Sequence, residues 1–234
     1  MATIPTLLIL HGALGSKDQF IGLENQLGEE LLVERLNFRS HGGRFMSEAP
    51  FRIEAFAEDV LMWLEKNKQD RIDILGYSMG GYVALYLARH FPDKVGKICT
   101  LATKWDWNAE SVDRELKFLN PELIQEKVPR YAETLKERHA PEDWEAIVRR
   151  TAEMMTHMAD QPPLKEEDFA KIPHEVLIAL GDQDSTASLA PSIRTFQALA
   201  KGQLLVLPDT PHPIERVHIP SFAQQVLHFL AERE

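Results

Sequence analysis

Short apolar runs alternate along this chain with longer stretches in which apolar residues recur every three or four positions. That alternation predicts a mostly parallel sheet flanked by helices. Thr6 to Leu10 (TLLIL) reads as the first strand, followed by the turn HGALG and a helix from about Ser16 to Gly28 with Phe20, Leu23 and Leu27 as its inward stripe. Leu31 to Leu36 reads as a second strand that ends in the polar turn NFRSHGGR, and a helix is predicted near Ile53 to Lys66. Ile72 to Leu75, GYSMGG and Met79 to His90 follow as strand, turn and helix; Pro92 ends that helix, and Lys94 to Leu101 is the fourth strand.

After Thr103 the rhythm changes. From Trp105 to about Phe169 the pattern is helical only, opened by NPEL at Asn120 and APEDW at Ala140, with prolines and acidic residues suited to a first helical turn. Pro162 and Pro163 close the block. Strand and helix then alternate again: Val176 to Leu180, a helix Leu189 to Ala200, Leu204 to Leu207, and a last helix from Pro220 onward. The expected fold is α/β, a doubly wound sheet built by residues 1–103 and 171–234, with residues 104–170 inserted as a helical block.

Composition changes this picture little. A chain of 234 residues suits one such core with one insertion, and 44% hydrophobic with 26% charged residues excludes disorder. The formal net charge of −10 repels phosphate backbones and anionic lipid, so neither a nucleic-acid nor a membrane partner is expected. Cys99 is the only cysteine, which excludes an intramolecular disulfide and cysteine-rich zinc sites; within the apolar run Val95 to Leu101 it reads as a buried, inert thiol. The start MATIPTLLILHG lacks the basic opening of a signal peptide, and no run approaches the roughly 18 apolar residues of a membrane helix. A cytoplasmic protein is expected. The sequence carries no signal of oligomeric state.

The chemistry starts at Gly76-Tyr77-Ser78-Met79-Gly80-Gly81, between a predicted strand and a predicted helix. G-x-S-x-G in that context makes a sharp turn that lifts the serine above the sheet edge, and glycines two before and two after it avoid crowding by a Cβ. A serine hydroxyl needs a base. Of nine histidines, His212 lies in PDTPHP directly after the last apolar strand, on the rim shared by the loops beyond the strands' carboxyl ends. His218 is the second choice; His90, His157 and His228 fall in helices, and His41 reads as loop packing. The base needs an acid to fix its tautomer. Asp182 and Asp184 of GDQD both follow a strand on that rim, and Asp106 is a third candidate; spacing does not separate them. For the oxyanion, HGALG can present the Ala13 amide beside that of Met79. His11 is expected to hold the turn rather than move protons.

Taken together, HGALGS, GYSMGG, GDQD and HPIERVHIPSF resemble the oxyanion turn, nucleophile elbow, acid loop and histidine segment of the α/β-hydrolase superfamily. The likeness covers the chain apart from the insertion. It implies that Asp184 is the acid, that Trp105 to Phe169 caps the substrate pocket, and that the first strand stands where the family's third does, leaving about six strands. Ser78, Asp184 and His212 would then cleave a small carboxylic ester or thioester with Ala13 and Met79 on the oxyanion, Leu14, Trp105 and Trp107 at the substrate, and no cofactor or metal. The same motifs also resemble the lyases of menaquinone biosynthesis, so a C–C hydrolase or proton-abstracting lyase is the second reading. Such an enzyme would want cations for a dicarboxylate, for which Arg130, Arg138, Arg149 and Arg150 are available. A non-catalytic, ligand-sensing homologue is the third.

Overall fold

In the computed structural model, which describes residues 6–231, the strands β1 (Thr6–Leu10), β2 (Leu32–Leu36), β3 (Ile72–Tyr77), β4 (Val95–Leu101), β5 (Glu175–Gly181) and β6 (Lys201–Leu207) form one sheet in the order β2-β1-β3-β4-β5-β6. Every neighbouring pair is parallel. This is the doubly wound α/β arrangement expected, with its chain reversal at β1. The helices are α1 (Ile21–Leu27), α2 (Ile53–Lys66), α3 (Met79–His90), α4 (Ala109–Leu116), α5 (Pro121–Lys127), α6 (Pro129–His139), α7 (Trp144–Asp160), α8 (Glu166–Phe169), α9 (Leu189–Ala198) and α10 (Ile219–Ala231). The expected core begins and ends outside the described residues, at 1–5 and 232–234.

Successive strand residues point to opposite faces, and both faces are covered, so the inner strands are mostly apolar on both faces, with Asp73, Lys97 and Thr100 among the exceptions. Leu8, Leu10, Ile74 and Ile98 pack with α2 and α3, whereas Leu7, Ile9, Leu75, Cys99 and Leu101 pack with α1 and α10. Cys99 is fully buried, and burial pushes its thiol well above the ordinary range.

Two elements differ from expectation by more than a residue or two at an end. The stretch predicted as one helix from Ser16 divides into a 3-10 turn, Lys17–Phe20, and the short α1. The last strand starts at Lys201 instead of Leu204, because an edge strand half open to solvent tolerates Lys201 and Gln203 in its ladder with β5. Between β4 and β5 lie α4 to α8 and no strand.

Candidate active site

The carboxyl ends of β1, β3, β5 and β6 point to one rim, and the loops that leave them carry the candidate residues. Ser78 follows β3 and stands at the N-cap position of α3 in a backbone conformation of φ +50° and ψ −116°, which L-residues rarely adopt. The surroundings over-determine it: its N–H donates to the Leu101 carbonyl (2.8 Å), and its own carbonyl accepts from Gly81 N–H and Thr103 Oγ1 (3.0 Å each). The flanking glycines have a steric cause. A Cβ on Gly76 would stand 2.4 Å from the Gly80 carbonyl oxygen, and one on Gly80 2.4 Å from that of Leu10. So α3 starts tight against the end of β1.

After β1 the chain turns through Gly12–Gly15, closed by Gly15 N–H donating to the Gly12 carbonyl (3.1 Å). His11 Nδ1 donates to that same carbonyl (2.8 Å), while its Nε2 accepts the Phe38 amide (3.1 Å). The Gly12 carbonyl and the Ala13 N–H share one rigid peptide plane, so fixing the oxygen fixes the direction of the donor. Met79, at the first position of α3, has an N–H that a helix leaves without an intrahelical acceptor.

Asp184 and His212 meet directly. His212 Nδ1 donates to Asp184 Oδ2 (2.8 Å), and Asp184 Oδ1 accepts the amides of Thr186 and Ala187 (2.8 Å each). The carboxylate is wholly buried, while the imidazole is a quarter exposed. Asp182 does something else: its Oδ1 takes the Thr210 amide (3.3 Å), and Gln183 N–H reaches the Thr210 carbonyl (3.2 Å), which zips the acid loop to the histidine loop. Asp106 lies apart, paired with Lys104. Among the histidines, His218 accepts from Ser221 Oγ at the start of α10 (2.8 Å), away from this pairing.

Tyr77 links the serine turn to the histidine loop, a role the sequence analysis did not assign. Its hydroxyl donates to the His212 carbonyl (2.9 Å), and its ring lies 5.6 Å from the imidazole. Its place inside GYSMGG was the available signal.

Ser78, Ala13 and Met79 line a common pocket with Tyr82, Trp107, Lys104, Glu115 and three methionines of α7, Met154, Met155 and Met158. Its interior is about 30 Å³, room for a water or two. Of the expected substrate contacts only Trp107 is among the lining residues. Trp105 stacks behind Tyr82 (6.1 Å between centroids) and against Phe169, and Leu14 is buried in the core. None of the four arginines lines the pocket either. Arg149 pairs with Glu122 and Glu145, Arg150 lies over Phe51 and bonds the Ser47 and Ala49 carbonyls, Arg138 bonds the Leu14 carbonyl, and Arg130 is exposed. Among the described residues that line the pocket, the one cation, Lys104, faces two carboxylates, Glu115 (3.5 Å) and Asp106 (3.7 Å).

Behind the Gly12–Gly15 turn three histidines cluster. His41 lies 5.2 Å from His11 and 5.6 Å from His139, ring to ring, and all three are fully buried. Burial, reinforced by Arg138 and Arg44, lowers His11 to about 3; burial and Arg138 lower His139 to about 4; burial and His11 hold His41 well below its ordinary value. All three are therefore neutral in the folded chain at pH 6.5, where an unfolded histidine is half-protonated. Stability contributed by these rings is complete above pH 6.5 and is lost as pH falls toward their folded values. The loss is up to about 1.4 kcal/mol per ring per pH unit. Denaturant midpoints should drop clearly between pH 7 and pH 5, before most carboxylates titrate; equal midpoints would show that the cluster is not neutral.

The model of the alpha/beta hydrolase fold family matches residues 5–140. The chain belongs to the α/β-hydrolase fold family. Among curated relatives, this α/β hydrolase is 34% identical over 100 residues to a pimeloyl-[acyl-carrier protein] methyl ester esterase of Neisseria meningitidis, covering 43% of this chain and 37% of that protein. It is also 34% identical over 100 residues to an abhydrolase domain-containing protein of Schizosaccharomyces pombe, over 42% of this chain and again 37% of the relative. The match thus spans little more than a third of those relatives' length. Among solved structures, the enol-lactonase of Burkholderia xenovorans superposes with a TM-score of 0.78 at 20% identity over 99% of this chain and 93% of that one. MenH of S. aureus does so with 0.80 at 19% identity over 99% and 95%. These two likenesses concern the fold alone.

Among the described residues no group of three or more His, Cys, Asp or Glu could hold a metal ion, and no helix is long and apolar enough to cross a membrane.

Proposed function

We propose that this α/β hydrolase cleaves a small carboxylic ester or thioester through an acyl-enzyme on Ser78. The observation that carries the reading is the Asp184–His212 hydrogen bond on the same rim as the strained Ser78 turn, with Tyr77 tying the two together. Asp184 holds the proton on His212 Nδ1 and leaves Nε2 as the base. His212 takes the Ser78 proton as Oγ attacks the carbonyl carbon, the Ala13 and Met79 amides hold the developing oxyanion, and His212 returns the proton to the leaving alkoxide or thiolate. Water then repeats the sequence on the acyl-enzyme and releases the acid.

Residues 104–170 act in this reading as the cap, since α7 supplies the methionine wall of the pocket. Pimeloyl-carrier and other esterases among the relatives support an acyl substrate over a dicarboxylate one, as does a pocket whose single lysine already faces two carboxylates. A pocket this narrow favours short acyl chains, with the thioethers moving aside for longer ones. In a panel of aryl esters, acetate and propionate should be cleaved with higher kcat/KM than octanoate. Met154→Ala should shift that preference toward longer chains by about tenfold, the scale of a methylene or two in an apolar pocket. The same chain-length profile in both proteins would remove α7 from the acyl site, and failure of a fluorophosphonate to label Ser78 would remove the serine mechanism and leave a binding protein.

A further inference from the structure

Leu14 forms the second corner of the turn that offers the Ala13 amide, with φ of +56°. A leucine in that region costs about 1–2 kcal/mol and persists only where its surroundings hold it. Its carbonyl is bonded twice, by Arg138 Nη1 at 2.9 Å and by His139 Nε2 at 3.1 Å. Both donors come from the last turn of α6, in the helical segment between β4 and β5. His139 is fully buried, and its Nδ1 accepts the Gly42 amide at 3.1 Å. The neutral ring therefore carries its proton on Nε2 and aims it at Leu14. Arg138 is half-buried, and its Nη2 lies 4.0 Å from Glu215, three residues past His212.

We propose that Arg138 and His139 are positioning residues for the oxyanion donor: by holding the Leu14 carbonyl they keep the Ala13–Leu14 corner in place and so aim the Ala13 amide. His11 fixes the peptide plane of that amide from the core side. The α6 pair fixes the next residues of the turn from the other. A corner released by α6 swings toward ordinary φ, loosens the Gly15–Gly12 bond and lets the donor wander, so its contribution to the transition state falls while ground-state binding in the methionine pocket stays. The inference rests on Ser78 being the nucleophile, but its structural half can be read without turnover.

The variants are Arg138→Met, which keeps the stem and loses the donors, and His139→Asn, which retains an acceptor for Gly42 and loses the donor to Leu14. His139→Gln is the restoring variant, and Arg149→Met, which breaks an exposed ion pair on the same segment, is the control. With an aryl acetate, each of the first two should lower kcat about tenfold and the pair about a hundredfold at nearly unchanged KM, short of the loss from deleting a donor outright. His139→Gln should recover most of the loss. Hydrogen exchange of the Gly15 amide should quicken in the same variants and not in Arg149→Met. A loss that falls on KM, an equal loss in Arg149→Met, or unaltered Gly15 exchange would overturn the proposal. If His139→Asn does not fold, Arg138→Met decides alone. If wild type neither turns over nor labels at Ser78, the nucleophile assignment fails, and Gly15 exchange still decides whether α6 holds the turn.

Discussion

Ser78→Ala is expected to lower kcat on a small aryl ester by on the order of 10³-fold or more, leaving only what binding and the oxyanion donors supply without a nucleophile. The folded state should survive the change. The bonds that shape the turn involve the Ser78 backbone, its N–H to Leu101 and its carbonyl from Gly81 and Thr103, and none needs the hydroxyl. Ser78→Gly separates the two aspects of the residue further. It should be as inactive as the alanine variant yet more stable, by about 1 kcal/mol or somewhat more, because glycine adopts φ of +50° without the strain of a Cβ. Turnover and thermal unfolding of the two variants, measured side by side, check this. Near-normal turnover by Ser78→Ala would end the acyl-enzyme reading, and a glycine variant no more stable than the alanine one would show that the turn stores no strain.

Asp184→Asn should cost a comparable amount, about 10⁴-fold in kcat, although it changes a single heavy atom. The reason lies in the other carboxylate oxygen. Asp184 Oδ1 accepts two backbone amides, Thr186 and Ala187, so an asparagine will keep its oxygen there and turn its NH₂ toward His212. The imidazole must then accept at Nδ1 and carry its proton on Nε2, the nitrogen that should be the base. Asp182→Asn makes the contrast. Its Oδ1 only receives the Thr210 amide, an acceptor role that asparagine keeps, so its kcat should stay within about threefold of wild type. Equal losses in the two variants, or full turnover by Asp184→Asn, would break the assignment of the acid.

What the sequence made legible follows from which signals are local. The inner strands announced themselves because both faces of the sheet are covered, and the Ser78 turn because Gly76 and Gly80 fall in one short strand-turn-helix unit, Gly76 for a contact inside it and Gly80 for one with Leu10 of β1. Spacing alone left Asp182 and Asp184 tied. Family likeness favoured Asp184, and the geometry then gave each carboxylate its own partner. Signals that depend on distant packing were not legible. Trp105 and Trp107 are two residues apart on an irregular segment, and only the three-dimensional arrangement of α3 and α8 puts one behind Tyr82 and the other at the pocket. The four arginines of the helical block suggested an anionic substrate, but each has a neighbour or open solvent elsewhere. In the sequence His139 is one histidine in a helical stretch with no motif around it. Its partners, Leu14 and Gly42, lie about a hundred residues upstream in two separate loops.

The placing of α4 to α8 has one more consequence. The chain leaves the sheet at the end of β4 and returns at the start of β5, and these two strands are direct neighbours, paired from Ile98–Val176 to Leu101–Ala179. No strand belonging to that stretch enters the sheet, so the ladder of the sheet is indifferent to how long the excursion is or what it contains. The helical wall over the pocket can therefore be lengthened, shortened or exchanged while Ser78, Asp184 and His212 keep their separations, with one reservation that the proposed role of α6 adds. Any replacement must still bring two donors to the Leu14 carbonyl. A graft designed on this scaffold would treat Arg138 and His139 as part of the socket, keep Thr103 under Ser78, and take the rest of residues 104–170 as the interchangeable part.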